Sequence, residues 1–269
     1  MSDDSMLGSY LAAIDLEPAP PTMTLLSELT RRHLERFPFA SVGPQLGDPL
    51  PLDPAALFDR IITRRRGGYC FEQNGLMFEM LTELGYDTTM VLARVLVSGA
   101  DHPPLTHRFT MVDVDGGRYL VDVGFGAACP PGPVRFDPAD PGAGRHRIVE
   151  REPGEFHLQL ATDGGYVSLY RFDLVRYGPA DAELGHFYSH RHPDAGFVNN
   201  LVVARILDDE VRSLRNLELR IHRGDDEEQI AISDASHLHE LLAGLFDLDV
   251  DATEAVRLYE AAAARARPA

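Results

Sequence analysis

One cysteine in this chain stands where reaction chemistry is served by its neighbours. Cys70 follows two glycines and opens an apolar helical pattern in the run RRRGGYCFEQNG, residues 64–75. Gly67 and Gly68 permit positive φ and close backbone approach. Leu76, Met77, Met80, Leu81 and Leu84 then recur at helical spacing, and Gly85 stops them. Cys70 is therefore expected at or near a helix N-terminus. There the dipole and the free N–H groups lower a thiol's pKa, and the same groups can hold an oxyanion. The local pattern equally allows a buried, inert cysteine.

A reactive thiolate needs a histidine, and often a third group to orient it. With 11 histidines in the chain, position has to decide. His107 opens the first strand of HRFTMVDVDGGRYLVDVGFG, and Asp122 lies near the end of the second. If Val114–Gly117 forms the turn, Asp113 pairs with Arg118 and Phe109 with Asp122. His107 and Asp122 then share a face as diagonal neighbours, roughly 7–8 Å apart at the backbone. A slip of one residue would put them on opposite faces. Asp122 can also be read as a hydrogen-bonded core acid. Cys129, in the loop AACPPGP, has no helix terminus and is expected to be a bystander close to Asp122. His186, His190 and His192 cluster in sequence, but they are read as exposed loop histidines, and no metal is expected. GFGAAC lacks the third glycine and the following helix of a dinucleotide fingerprint.

The elements that must position these residues fall into three parts. Residues 1–86 read as a helical bundle carrying the nucleophile. TMTLLSELTRRHLERF places Leu25, Leu26, Leu29 and Leu34 on one face, and DPAALFDRIITR starts with Asp53 as N-cap and Pro54 at the first helical position. Residues 87–190 read as an antiparallel β-barrel carrying His107 and Asp122, with TTMVLARVLVSG as a strand and hairpins around two Asp-Gly-Gly turns. Residues 191–269 read as an α/β lid. FVNNLVVARILDD and SLRNLELRIHRG are strand-like, GDDEEQ is a solvated turn, and ASHLHELLAGLF and ATEAVRLYEAAAARAR are helices. The fold class is thus α+β.

Composition limits the function. The 42 acidic residues outweigh 25 basic ones, for a net charge of −17, which repels a phosphate backbone. The one dense basic run, Arg64–Arg66, is either a solvated helix end or a local positive potential beside Cys70. No apolar run reaches the roughly 20 residues that span a bilayer. MSDDSMLGSY is acidic where a secretory signal would be basic, and the two cysteines make no disulfide framework. A cytoplasmic protein with no nucleic-acid or membrane partner is expected.

Several motifs occur together in a recognisable order. RRRGGYCFEQNGLMFEMLTELGY resembles the signature run of the arylamine N-acetyltransferase family. LTHRFTMVDVDGGRYLVDVGFG resembles its histidine strand and the segment after it. HFYSHRHPDAGFVNNLVVAR resembles its later Tyr-x-Ser-x-His-Pro stretch, and RRHLERFPF and LFDRIITRRRGGYC also fit. The likeness spans about residues 25–205. It implies a helical bundle, a β-barrel and an α/β lid, with Cys70 as nucleophile, His107 as base and Asp122 as its orienter. It further implies acetyl transfer from acetyl-CoA to an arylamine, hydrazine or hydroxylamine by a ping-pong route, as in the metabolism of foreign amines. Phe39, Val95, Phe125 and Phe197 are the implied substrate-pocket positions. Two departures bear on that pocket: Ala40-Ser41 replace the usual Glu-Asn, and His186-Phe187-Tyr188 replace the usual Asn-Trp-Tyr in a chain without tryptophan. They keep open an alternative known among relatives, a macrolactam-forming amide synthase with a carrier-bound acyl donor. A thiol hydrolase and a non-catalytic binding protein are further readings of the same residues.

Overall fold

The computed structural model describes residues 5–97, 99 and 102–266. The acidic start MSDD and Ser98 of the strand-like run lie outside them. The first part holds helices α1 (Met6–Ala13), α2 (Met23–Arg36), α3 (Val42–Leu46), α4 (Pro54–Phe58) and α5 (Cys70–Glu83), with the short strand β1 (Phe39–Ala40). In α2, Leu25, Leu26, Leu29 and Leu34 are buried as the spacing predicts, and the Thr22 hydroxyl accepts from the Leu25 N–H at its start. Asp53 caps α4 through the Ala56 N–H, and the helix widens into a π turn at Asp59–Thr63. The helix that Cys70 begins ends as expected, with Gly85 at φ +88°.

The middle part is a seven-stranded antiparallel sheet. Its strands are β2 (Asp87–Val95), β3 (Leu105–Val114), β4 (Gly117–Val121), β5 (Val134–Arg135), β6 (His146–Glu152), β7 (Glu155–Thr162) and β8 (Gly165–Phe172), in the order β5-β4-β3-β2-β8-β7-β6. The end strands β5 and β6 come against one another, so the sheet is nearly closed into a barrel. Asp115 and Gly116, at φ +51° and +74°, make the two-residue turn between β3 and β4. Val114 pairs with Gly117 and Asp113 with Arg118, which is the register that puts His107 and Asp122 on one face.

The last part holds α6 (Pro179–Arg191), α7 (Gly196–Asn199), β9 (Val202–Ile206), β10 (Val211–Arg215), β11 (Glu218–Arg223), β12 (Asp226–Ala231), α8 (Ala235–Gly244) and α9 (Ala252–Ala266). β1 joins these strands in an antiparallel sheet of order β1-β9-β10-β11-β12, whose apolar face packs on α8 and α9. Two local expectations fail here. Phe197–Asn199 are helical rather than extended, because the Gln45 amide binds the Phe197 and Val198 carbonyls and the Asn199 N–H returns to Ala195. The acidic run GDDEEQ turns only at its start. Asp226–Gln229 then pair with β11 as a charged, exposed edge strand, a pattern that discourages further strand addition.

Candidate active site

The two glycines before Cys70 each meet a close neighbour. Gly67 has φ +62°, and a Cβ there would lie 2.8 Å from Ala40 Cβ and 2.9 Å from the Pro38 carbonyl oxygen. Such proximity lets the chain run beside β1, where the Ala40 N–H donates to the Gly68 carbonyl at 2.9 Å. Tyr69 then caps the helix, and its N–H donates to Glu72 Oε2 at 3.1 Å. Glu72 is fully buried and pairs with the buried Arg60, Oε1 to Nε 2.8 Å. Cys70 is the first residue of α5 and is buried. Its thiol donates to the Thr106 carbonyl at 3.5 Å, beside His107 in the chain.

The electrostatics of this thiol differ from the helix-terminus expectation. Burial pushes the Cys70 thiol up and the Asp122 charge adds to that, while the N–H groups of Phe71 and Arg108 pull it back only in part. In the closed site desolvation outweighs the dipole.

His107 and Asp122 meet across the register that the hairpin sets. His107 Nε2 lies 2.7 Å from Asp122 Oδ2, and both side chains are buried. An ionised carboxylate only accepts, so Nε2 carries the hydrogen and Nδ1 is left bare. Asp122 Oδ2 also accepts from the Tyr170 hydroxyl at 2.9 Å. Its Oδ1 accepts from Asn74 Nδ2 and from the Gly124 N–H, each at 2.9 Å. Burial would raise the Asp122 carboxyl, but the His107, Asn74 and Gly124 contacts outweigh it and hold the group below the ordinary carboxylate range. A Cβ on Gly124 would sit 2.7 Å from the Cys70 Cα, so α5 and the segment after β4 are in direct contact.

Three of the four expected pocket residues stand close to this group. Phe39 and Phe197 face each other with ring centroids 5.6 Å apart, in the apolar cluster that includes Cys70. Phe125 packs edge-on to the His107 ring at 5.0 Å. Val95 sits at the end of β2, opposite Tyr170 on β8. Of the two departures, Ser41 ties β1 to β9, since its hydroxyl donates to the Asn200 carbonyl and accepts from the Val202 N–H.

Other expectations change. His186 and His190 are not loop residues. They lie on α6 and are buried because that face of the helix packs on Tyr69 and Phe71. Among the described residues no group of histidine, cysteine and carboxylate side chains has the arrangement of a metal site. Arg64, Arg65 and Arg66 pair with Asp59, Asp247 and Glu254, so the basic run is engaged with carboxylates. Cys129 is buried with its sulfur accepting from the Phe125 N–H. It lies close enough for the charges of Asp122 and of Cys70 to push its thiol up, after burial, the largest cause.

Sequence reasoning missed Asn74 and Tyr170. Asn74 had a usable signal, since it stands four residues after Cys70 on the same helical face. It donates to the Arg108 carbonyl and to Asp122, and accepts from the Val123 N–H. Tyr170 lies on β8, distant in sequence, and nothing local marks it.

Comparison with known proteins gives the family. A family model described as N-acetyltransferase matches residues 22–255. The arylamine N-acetyltransferase of Mycobacterium bovis is 37% identical over 254 residues, covering 91% of this chain and 89% of that protein. The structure of the Salmonella typhimurium arylamine N-acetyltransferase superposes with a TM-score of 0.90 at 30% identity, over 97% of this chain and 98% of that one. The Mycobacterium marinum arylamine N-acetyltransferase, solved in complex with CoA, gives a TM-score of 0.89 at 30% identity, over 95% and 99%. Sequence and structure, each over nine-tenths of the chain or more, place this protein in the arylamine N-acetyltransferase family.

Proposed function

We propose that Cys70, His107 and Asp122 carry an acetyl group from acetyl-CoA to an arylamine, hydrazine or hydroxylamine through an acyl-cysteine. The observation that supports this best is the His107–Asp122 bond. It keeps the hydrogen on Nε2 and Nδ1 bare, and the Cys70 thiol bonds the carbonyl of Thr106, the residue before His107; both support Nδ1 as the base. In the first half-reaction Nδ1 takes the thiol proton as sulfur attacks the thioester carbonyl. The carbon–sulfur bond to CoA then breaks, and the imidazolium returns the proton to the departing CoA sulfur. In the second half-reaction the amine nitrogen attacks the acyl-cysteine and gives a proton to Nδ1. The Cys70 sulfur leaves and is reprotonated. Asp122 stabilises the imidazolium in both halves. Burial of the site keeps water from competing with the amine.

Phe39, Phe125 and Phe197 form the aromatic walls against which a planar acceptor packs, with Val95 at the barrel end. The partners are a CoA thioester and a small amine, and the charge of −17 argues against nucleic acid. Two free thiols support a place in the reducing cytoplasm. No helix among the described residues is long and apolar enough to cross a membrane.

The test is to mix the protein with acetyl-CoA and follow released CoA thiol, with and without an arylamine and hydrazine panel. A stoichiometric burst without amine, turnover with it, and acetyl mapped to the Cys70 peptide are expected. Cys70→Ala should abolish all three. No CoA release from folded protein, or acetyl mapped to Cys129, would refute the assignment.

A further inference from the structure

His186 holds Tyr69 through a hydrogen bond whose direction the surroundings fix. His186 Nε2 is 2.7 Å from the Leu50 carbonyl, which can only accept, so the hydrogen is on Nε2. His186 Nδ1 is therefore an acceptor, and its partner is the Tyr69 hydroxyl. The two rings also stack, with centroids 5.6 Å apart. His190, one turn on, has its Nδ1 2.7 Å from the His186 carbonyl. α6 is pressed close at this point: a Cβ on Gly185 would lie 2.2 Å from the Leu105 carbonyl oxygen, two residues before His107.

Tyr69 is the cap of the helix that Cys70 begins, and its ring is a link in the aromatic wall. It packs edge-on to Phe197 at 5.4 Å, and Phe197 faces Phe39. We infer that His186 is a positioning residue for the acceptor half-reaction: it fixes the Tyr69 ring behind Phe197 and anchors the Leu50 segment to the same wall. The inference rests on the acyl-cysteine route and adds a residue that selects the amine rather than one that activates the thiol. His107 and Asp122 are held by Asn74, Gly124 and Tyr170, and among the described residues no hydrogen bond given for them reaches Tyr69 or His186. Loss of His186 should thus leave thiol acylation alone and weaken use of the amine.

Ping-pong kinetics separate the two. kcat/KM for acetyl-CoA reports acylation, and kcat/KM for the amine reports the second half-reaction. The variant His186→Phe keeps the stacking and removes both hydrogen bonds of the imidazole ring. The Tyr69 hydroxyl then keeps only the backbone carbonyl of residue 186, at 3.3 Å, and the Leu50 carbonyl loses its donor, so kcat/KM for an arylamine is expected to fall about tenfold while the value for acetyl-CoA stays within about twofold. Asparagine places an acceptor oxygen near the position of Nδ1, so His186→Asn should restore most of the loss. Tyr69→Phe removes the same bond from the other side and leaves the Leu50 bond in place, so it should lower the arylamine value and spare the acetyl-CoA value even if His186→Phe folds poorly. The wild-type burst of CoA is the check on the underlying chemistry. With the burst present, equal losses in both half-reactions, or an asparagine variant no better than phenylalanine, would overturn the inference.

Discussion

Asp122→Asn is the substitution that most directly examines how the site is wired. The carboxylate accepts from Asn74 and Gly124 on one oxygen and from His107 and Tyr170 on the other. An asparagine must turn its NH2 toward one of these pairs. Facing Asn74 and Gly124, it meets a backbone N–H that cannot reorient. If Asn74 flipped its own amide to comply, the Val123 N–H would lose its acceptor and the Arg108 carbonyl its donor. Two or more buried polar groups left unmatched cost about 1–3 kcal/mol each. Facing the other side, the Tyr170 hydroxyl rotates to accept, and His107 accepts at Nε2 by moving its hydrogen to Nδ1. That arrangement costs about 1–2 kcal/mol, mostly from the weaker neutral bonds. It should therefore win, but it places a hydrogen on the nitrogen that acts as base on the proposed route. The expected result is a modest fall in stability with a collapse of acylation, on the order of 10³–10⁴-fold, as tautomer reversal costs other triad enzymes. Urea unfolding and the rate of the CoA burst measure the two effects. A variant that retains more than about a tenth of the wild-type burst rate would refute the tautomer argument.

Two further outcomes follow from packing and burial. Gly124→Ala would push a Cβ to 2.6 Å from Asn74 Nδ2 and 2.7 Å from the Cys70 Cα, so α5 must shift. Overpacking of this kind costs about 1–3 kcal/mol, and the acyl-transfer rate should fall at least roughly tenfold, read by the same burst assay; wild-type behaviour would show that the contact is not tight. His33 is fully buried between the Tyr10 hydroxyl and the Gln73 side chain, and burial lowers its pKa from 6.5 to about 4. The unfolded chain takes up this proton near pH 6.5 and the folded chain only near 4, so stability is complete above pH 6.5 and falls as the pH drops toward 4. The loss is on the order of 3 kcal/mol. Denaturant midpoints of the wild type and His33→Gln at pH 7 and 4.5 should show a smaller pH dependence in the variant, and parallel midpoints would count against the burial argument.

The sequence exposed the parts of this site that local rules control. The hairpin is the clearest case. An Asp-Gly-Gly run selects a tight turn, the turn fixes the register, and the register alone brings His107 and Asp122 to one face. The capped start of α4 and the glycine stop of α5 were legible for the same reason, because each depends on a few adjacent residues. Phe197–Asn199 went the other way. A β-like sequence became a helical turn because Gln45, distant in the chain, holds two of its carbonyls.

What the sequence concealed was the polar interior. α5 buries Glu72, Gln73 and Asn74 completely, which a hydrophobic-periodicity reading would have placed on the solvent side. Each is admitted because a partner from another element meets it: Arg60 at Glu72, His33 and the Pro38 carbonyl at Gln73, Asp122 and the Arg108 carbonyl at Asn74. The same logic accounts for His186, whose neighbours in the chain suggested an exposed cluster while Tyr69 and the Leu50 carbonyl waited across the interface. The thiol's environment was misjudged for a related reason. A helix N-terminus is visible in sequence, but the degree of burial that opposes it is a property of the assembled site. The consequence is chemical. A cysteine ionised by its helix alone would be reactive whenever solvent reached it, whereas on the proposed route Cys70, held up by burial, attacks as its proton moves to His107. On that route the proposed acyl transfer rests on Asp122, Asn74 and the β3–β4 register that holds His107, more than on the dipole of α5.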